Sequence, residues 1–250
     1  LNKVTILQTV YTPATASAGT HGAAVKAVTA DKLTSPGSSA NFALVVTNTG
    51  TVRDIFGLSA DAPANWTLQF ENPRVSLPAG RSWVVLATVT SPADAKGFAT
   101  LHVTVQSEGD ATKQSTETLS VRLGAVGPTP RLAQQAKVDY TGMLQDGRIF
   151  DTTVAALGAN SDHAKMASYF QRTSYAPYNF TVGQEVIAGF TRLTLGTHIG
   201  ETSAGRVNAQ EAFTDPSSGL LYRPDVLYEL HFVPATSRFG RELPGAVKEA

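Results

Sequence analysis

Tyr140, Phe150 and Asp151 are the residues whose types and spacing suggest a working site. They lie in the stretch 137–151, Lys-Val-Asp-Tyr-Thr-Gly-Met-Leu-Gln-Asp-Gly-Arg-Ile-Phe-Asp. Val138, Tyr140 and Gly142 share one face of an alternating run, which predicts a strand. Asp146-Gly147 predicts a tight hairpin, because glycine takes φ > 0 at no steric cost. Ile149, Phe150 and Asp151 then open a second strand. One hairpin thus places a tyrosine, a phenylalanine and an aspartate near one of its ends. Other chemistries lack their residues. The chain has no Cys, so thiolate nucleophiles, disulfides and Cys-based zinc sites are excluded. His21, His102, His163, His198 and His231 are scattered, with no HExxH or paired spacing that would suit a metal. No Gly-rich phosphate loop, G-x-S-x-G elbow or basic helix occurs.

The 137–151 stretch resembles the FKBP family of peptidyl-prolyl isomerases. It keeps every fixed position of the family pattern V-x-Y-T-G-x-L-x-D-G-x-x-F-D. Phe180-Thr-Val-Gly-Gln-Glu-Val-Ile-Ala-Gly-Phe is similar to the family's F-x-x-G-x-x-x-V-I-x-G-[WF], with the segment from glycine to Val-Ile one residue shorter. Asp225-Val-Leu-Tyr-Glu-Leu-His-Phe resembles the closing strand. The resemblance covers roughly 135–235.

It implies an antiparallel half-barrel wrapped on one short helix at 186–196, with Val186, Ile187, Phe190, Leu193 and Leu195 toward the sheet. It also implies an aromatic cup for a proline ring. Tyr140, Phe150, Tyr178, Val186, Ile187, Phe190, Phe213 and Tyr228 would line the cup. Asp151 would stand at its rim, and the Ile187 N–H would bind a substrate carbonyl. Such a site needs no cofactor or metal, because rotation about X–Pro breaks no bond. Its partners would be proline-containing polypeptides. Phe213 stands where the family has a tyrosine whose hydroxyl binds ligand, a loss of about 0.5–1.5 kcal/mol. Tyr178 and Tyr228 stand at phenylalanine positions and bring new hydroxyls. Gly205 weakens the strand expected at 202–208.

The elements that must hold this site divide the chain in three: 1–123, a Gly/Pro linker at 124–134, and 135–250. In the first part, 4–10 is rich in β-formers and 11–22 reads as a loop. Weak alternation follows at 23–29. Strands are then predicted at 41–50, 55–60, 66–70, 75–80, 83–90, 98–106 and 116–123. This spacing without helical periodicity predicts an antiparallel β-sandwich. Val46-Thr-Asn-Thr-Gly, Asn65-Trp-Thr, Leu77-Pro-Ala-Gly and Val89-Thr-Ser-Pro-Ala-Asp-Ala resemble a family of envelope sandwich modules with an immunoglobulin-like fold. Trp66 and Trp83 read as core residues. Gly124-Ala-Val-Gly-Pro-Thr-Pro is a semi-stiff boundary that restricts the angle between domains. The fold expected is a two-domain chain: an all-β immunoglobulin-like sandwich, then an α+β FKBP-like half-barrel.

The FKBP resemblance also implies that the 26 residues at 152–177 are an insertion beside the cup. Apolar spacing behind a cap at 160–161 predicts a helix over 161–170. Lys plus Arg and Asp plus Glu number 20 each, so no net charge draws the chain to nucleic acid. No run approaches the roughly 18 apolar residues of a spanning helix. Low charge, at 16%, and a first residue other than Met suggest an exported or cell-envelope protein whose export segment has been removed. A docking role in a larger envelope complex is the alternative to catalysis.

Overall fold

The computed structural model describes residues 19–159, 162–167, 169, 172–184, 186–212 and 226–232, with side chains left aside for Ala209 and the last stretch. The run at 4–10, Phe213 and the flap at 214–219 lie outside the described residues.

Strands β1 (Ala23–Ala27), β2 (Asp31–Thr34), β3 (Ser39–Asn48), β4 (Asp54–Asp61), β5 (Thr67–Phe70), β6 (Arg74–Leu77), β7 (Ser82–Thr90), β8 (Phe98–Ser107) and β9 (Gln114–Leu123) build the sandwich. One sheet has the order β1-β3-β7-β5, the other β2-β9-β8-β4-β6. Pairing is antiparallel except for β2, which runs parallel to β9. The period of two turns Phe42, Leu44 and Val46 of β3 and Val85, Ala87 and Val89 of β7 inward. They meet Phe56, Leu101, Val103, Val105, Leu119 and Val121 from the facing sheet. Trp66 packs against this core. Trp83 does not: it opens β7 at the sheet's margin and is 39% exposed.

The second domain has β10 (Gln135–Leu144), β11 (Ile149–Thr152), α1 (Ala155–Ala159), β12 (Tyr178–Thr181), α2 (Ala188–Leu195), β13 (Thr202–Val207) and β14 (Val226–Phe232). Its sheet runs β11-β10-β14-β13, with β12 on the first half of β10. Every pairing is antiparallel. Helix α2 lies on one face, where Phe190 is buried and Leu193 packs. Leu195 instead stands exposed at the helix end. The helix expected over 161–170 is not formed at the described residues 162–167. That segment is stitched beside β11: Ile149 N donates to Ala164 O and Met166 N to Ile149 O, both at 2.9 Å. Edge pairing satisfies backbone groups that a short helix would have had to satisfy alone. The helical turn lies earlier, at α1.

The opposite face of this sheet is covered by the sandwich. Met143, Ile149 and Ala204 share an apolar cluster with Val28, Ala43 and Val84, packed by Val45 and Leu86. Val84 N donates to Gln145 O at 2.9 Å. Arg206 reaches Glu71 at 2.7 and 3.0 Å and also bonds the Gln145 side chain. Buried Thr34 donates to buried Glu201 at 2.8 Å. The linker is bonded along its length, with Gly124 N to Thr34 O at 3.0 Å and Gly127 N to Ile199 O at 2.8 Å.

Candidate active site

The site starts from the β10–β11 hairpin. Gly147 takes φ 83° in its turn, and a Cβ there would meet Val45 of the sandwich at 2.8 Å. Only glycine suits both the backbone angle and the close approach. Along the strands, Gly142 pairs with Asp151 and Met143 with Ile149, so β11 holds one extra residue, Phe150. This bulge decides where the chemistry points. Ile149 faces the sandwich cluster, whereas Phe150 packs on the helix side and Asp151 reaches Tyr140 there. Two consecutive residues thus serve one side of the sheet.

The helix side is an aromatic cup. Tyr140 meets Phe190 edge-on at 5.7 Å, and Phe190 meets Phe180 edge-on at 5.3 Å. Tyr178 stacks on Phe180 at 5.7 Å and touches Tyr140 at 6.2 Å, closing a ring of four. Each such pair adds about 0.5–1.5 kcal/mol beyond its burial, so the cup is rigid. Val138, Val182 and Val207 complete the buried cluster, and Phe150, Val186 and Ile187 pack against it. Helix α2 lies close to the sheet because Gly189 abuts Val207 and Gly205 abuts Leu193. Gly205 therefore serves the packing of the strand that it interrupts. Ile187, the residue before α2, is extended (φ −62°, ψ 150°), and its N–H has no partner among the described residues. Unpaired N–H groups at a helix start are donors in search of an acceptor.

The rim is polar. Tyr140 OH donates to Asp151 Oδ2 at 2.5 Å. Arg172, from the segment between β11 and β12, sends Nη2 to both carboxylate oxygens at 2.9 and 3.0 Å and Nε to Oδ1 at 3.2 Å. The same Nη2 lies 3.2 Å from the Tyr140 hydroxyl. Burial works against the Arg172 charge, but the Asp151 carboxylate outweighs it and holds the guanidinium above its ordinary range. Beside them, the Tyr169 hydroxyl is pushed up to about 12, by burial first and then by its neighbour Tyr175. Among the described residues no cluster of His, Asp and Glu is placed to hold a metal.

The structure thus brings together Tyr140, Phe150, Asp151, Tyr178, Val186, Ile187 and Phe190. Tyr228 lies in β14 opposite Gly142 and Gly205. Phe213 lies outside the described residues. Sequence reasoning missed Phe180 and Arg172. Phe180 shares its strand face with Tyr178 two residues earlier, so alternation could have found it. Nothing in the spacing around Arg172 marks it, because its role depends on the path of a long loop.

Residues 127–230 match the family model for the FKBP-type peptidyl-prolyl cis-trans isomerase. No curated protein matches the chain. Solved structures similar to it include the ASH/PapD-like domain of human CEP192, at 16% identity over 48% of this chain and 94% of that one, with a TM-score of 0.30. A CARDB domain from Pyrococcus furiosus is 18% identical over 42% of this chain and 94% of that one, with a TM-score of 0.30. A FixG-related protein from Vibrio parahaemolyticus is 10% identical over 41% and 94%, with a TM-score of 0.31. Residues 127–230 are thus similar to the FKBP-type peptidyl-prolyl cis-trans isomerase domain, and they follow a two-sheet β-sandwich.

Proposed function

We propose that this chain catalyses cis–trans isomerisation of X–Pro bonds in polypeptides of the cell envelope or exterior. The functional units of this reading are 1–123, the linker 124–134 and 135–250. The observation that carries it is the convergence of an aromatic cup, an Ile187 N–H without a partner among the described residues, and the Tyr140–Asp151–Arg172 rim. Rotation about X–Pro faces a barrier of about 18–20 kcal/mol, set by amide resonance. A dry apolar cup favours the twisted amide, which has lost resonance and dipole, over the planar one. The Ile187 N–H fixes a flanking carbonyl of the client, and Tyr140, Phe150 and Phe190 wall the proline ring. The envelope location rests on composition, with charged residues at 16%.

A protease-coupled isomerisation assay on short X–Pro peptides tests this. Wild type should accelerate the slow phase, and Asp151→Ala and Phe150→Ala should each reduce the rate with folding intact. Absence of turnover across several residues before proline would refute catalysis. The second reading is a non-catalytic subunit docked in an envelope complex. It is favoured by the insertion, whose Arg172 occupies the rim groups that a substrate would meet.

A further inference from the structure

The insertion touches both halves of the molecule. On one side, Leu157 packs in the apolar cluster with Val28, Ala43 and Val84 of the sandwich, and Val154 and Tyr169 pack against it. Asp162 Oδ2 accepts from Lys26 Nζ of β1 at 2.9 Å. The extended piece 164–166 is bonded to Ile149 of β11. On the other side stands Arg172 with its contacts to Asp151 and Tyr140. Tyr169 lies between the two, packed on the apolar cluster and close enough to Asp151 and Arg172 to feel both charges.

An arginine has many rotamers, and a long loop adds its own freedom, so pairing with one carboxylate is entropically costly. A loop fixed at its root loses less when the pair forms. Among the described residues, two contacts at that root come from the sandwich: Lys26 on Asp162, and the apolar cluster in which Leu157 joins Val28 and Val84.

We propose that the sandwich positions the rim of the cup. Lys26 holds Asp162, the apolar joint holds Leu157, and the segment so held places Arg172 on Asp151 and Tyr140. Lys26 and Asp162 are positioning residues, acting through Arg172. The functional consequence rests on the isomerase reading above; the structural one does not.

The test compares the full chain as wild type, Lys26→Glu, Asp162→Lys and the double swap, each with and without Arg172→Ala. Lys26 and Asp162 are exposed enough for these changes to leave the fold intact, with side chains 47% and 61% accessible. Two readouts are taken: kcat and KM on an X–Pro peptide, and solvent exchange of the Arg172 Nε–H resonance. Each single variant should lower kcat/KM about threefold, the scale of one surface ion pair. Each should also speed exchange of the Nε–H. The swap should restore both, and in the Arg172→Ala background Lys26→Glu should change nothing. Unchanged Nε–H exchange in the single variants, an equal loss without Arg172, or a swap that fails to rescue would overturn the proposal. A wild type without turnover would refute the isomerase reading alone, leaving the resonance to decide this one.

Discussion

Gly189 on α2 faces Val207 on β13 so closely that a methyl group at Gly189 would overlap both Val207 γ-carbons. Valine is stiff at χ1 and cannot swing clear. Gly189→Ala should therefore destabilise by about 1–3 kcal/mol, despite a helix-propensity gain of about 1 kcal/mol. At Gly205 the overlap is with the terminal methyls of Leu193, which can rotate away. Gly205→Ala should cost less than Gly189→Ala, and urea midpoints give the order. Gly189→Ala should also move the Ile187 N–H, so its peptide turnover should fall further than its stability accounts for.

Arg172 makes a planar fork on Asp151 with Nε and Nη2. Lysine offers one point charge and cannot reproduce it. Arg172→Ala should lower kcat/KM about fivefold, which corresponds to about 1 kcal/mol for a charge-assisted bond partly open to water. Arg172→Lys should recover less than half of that loss. Full recovery by lysine would mean that only the charge matters.

His163 is buried in the segment that follows α1, where the charge of Lys26 of β1 reaches it. Burial holds its pKa below 6.5, with Lys26 and Lys165 pushing the same way and Asp162 opposing. Between the folded value and 6.5 the unfolded chain binds more protons, so stability is lost as pH falls through that window. His163→Gln should flatten this loss. Urea midpoints at about pH 7.5 and about pH 5.5 check it: the wild type should fall further than the variant. Asp54, held below 3.8 by bonds from Ser107 and His21 that outweigh its burial, acts only at lower pH.

The cluster shared by Val84, Met143 and Ile149 predicts that the two domains unfold together. Both tryptophans, Trp66 and Trp83, lie in the sandwich, and every tyrosine except Tyr11 follows the linker. Tryptophan fluorescence and tyrosine near-UV dichroism therefore report separate halves. Their denaturation curves should coincide in the wild type. Val84→Asp buries an unpaired charge in the joint and should separate the curves.

Much of this fold was legible because alternation marks each long sandwich strand. Strand β2 was missed because its four residues, Asp-Lys-Leu-Thr, are mostly polar; Lys32 is nonetheless buried, donating to Asn41 O at 2.6 Å. The cup was legible because Tyr140, Phe150, Asp151 and Phe190 sit in short motifs whose geometry is local. The interface between domains carried a weaker sign. Both β3 and β7 are apolar in both phases, at Ala43 and Val45 as well as Leu44, and at Val84 and Leu86 as well as Val85. Strands with that pattern are covered on both sides. What covers them, Met143 and Ile149 among others, is distant in sequence, and no local pattern holds that information.

Opposite the bulge in β11, β10 has no outer side between Val138 and Met143. Val138 and Tyr140 serve the cup and Met143 serves the sandwich, while Thr141 is buried against Thr152. A slip of one residue would exchange the two surfaces. Few substitutions along this strand can then be silent. Drift in the sandwich and drift in the cup must be reconciled within one six-residue sentence of the gene, which ties the evolution of the sandwich to that of the cup on the other side of the sheet.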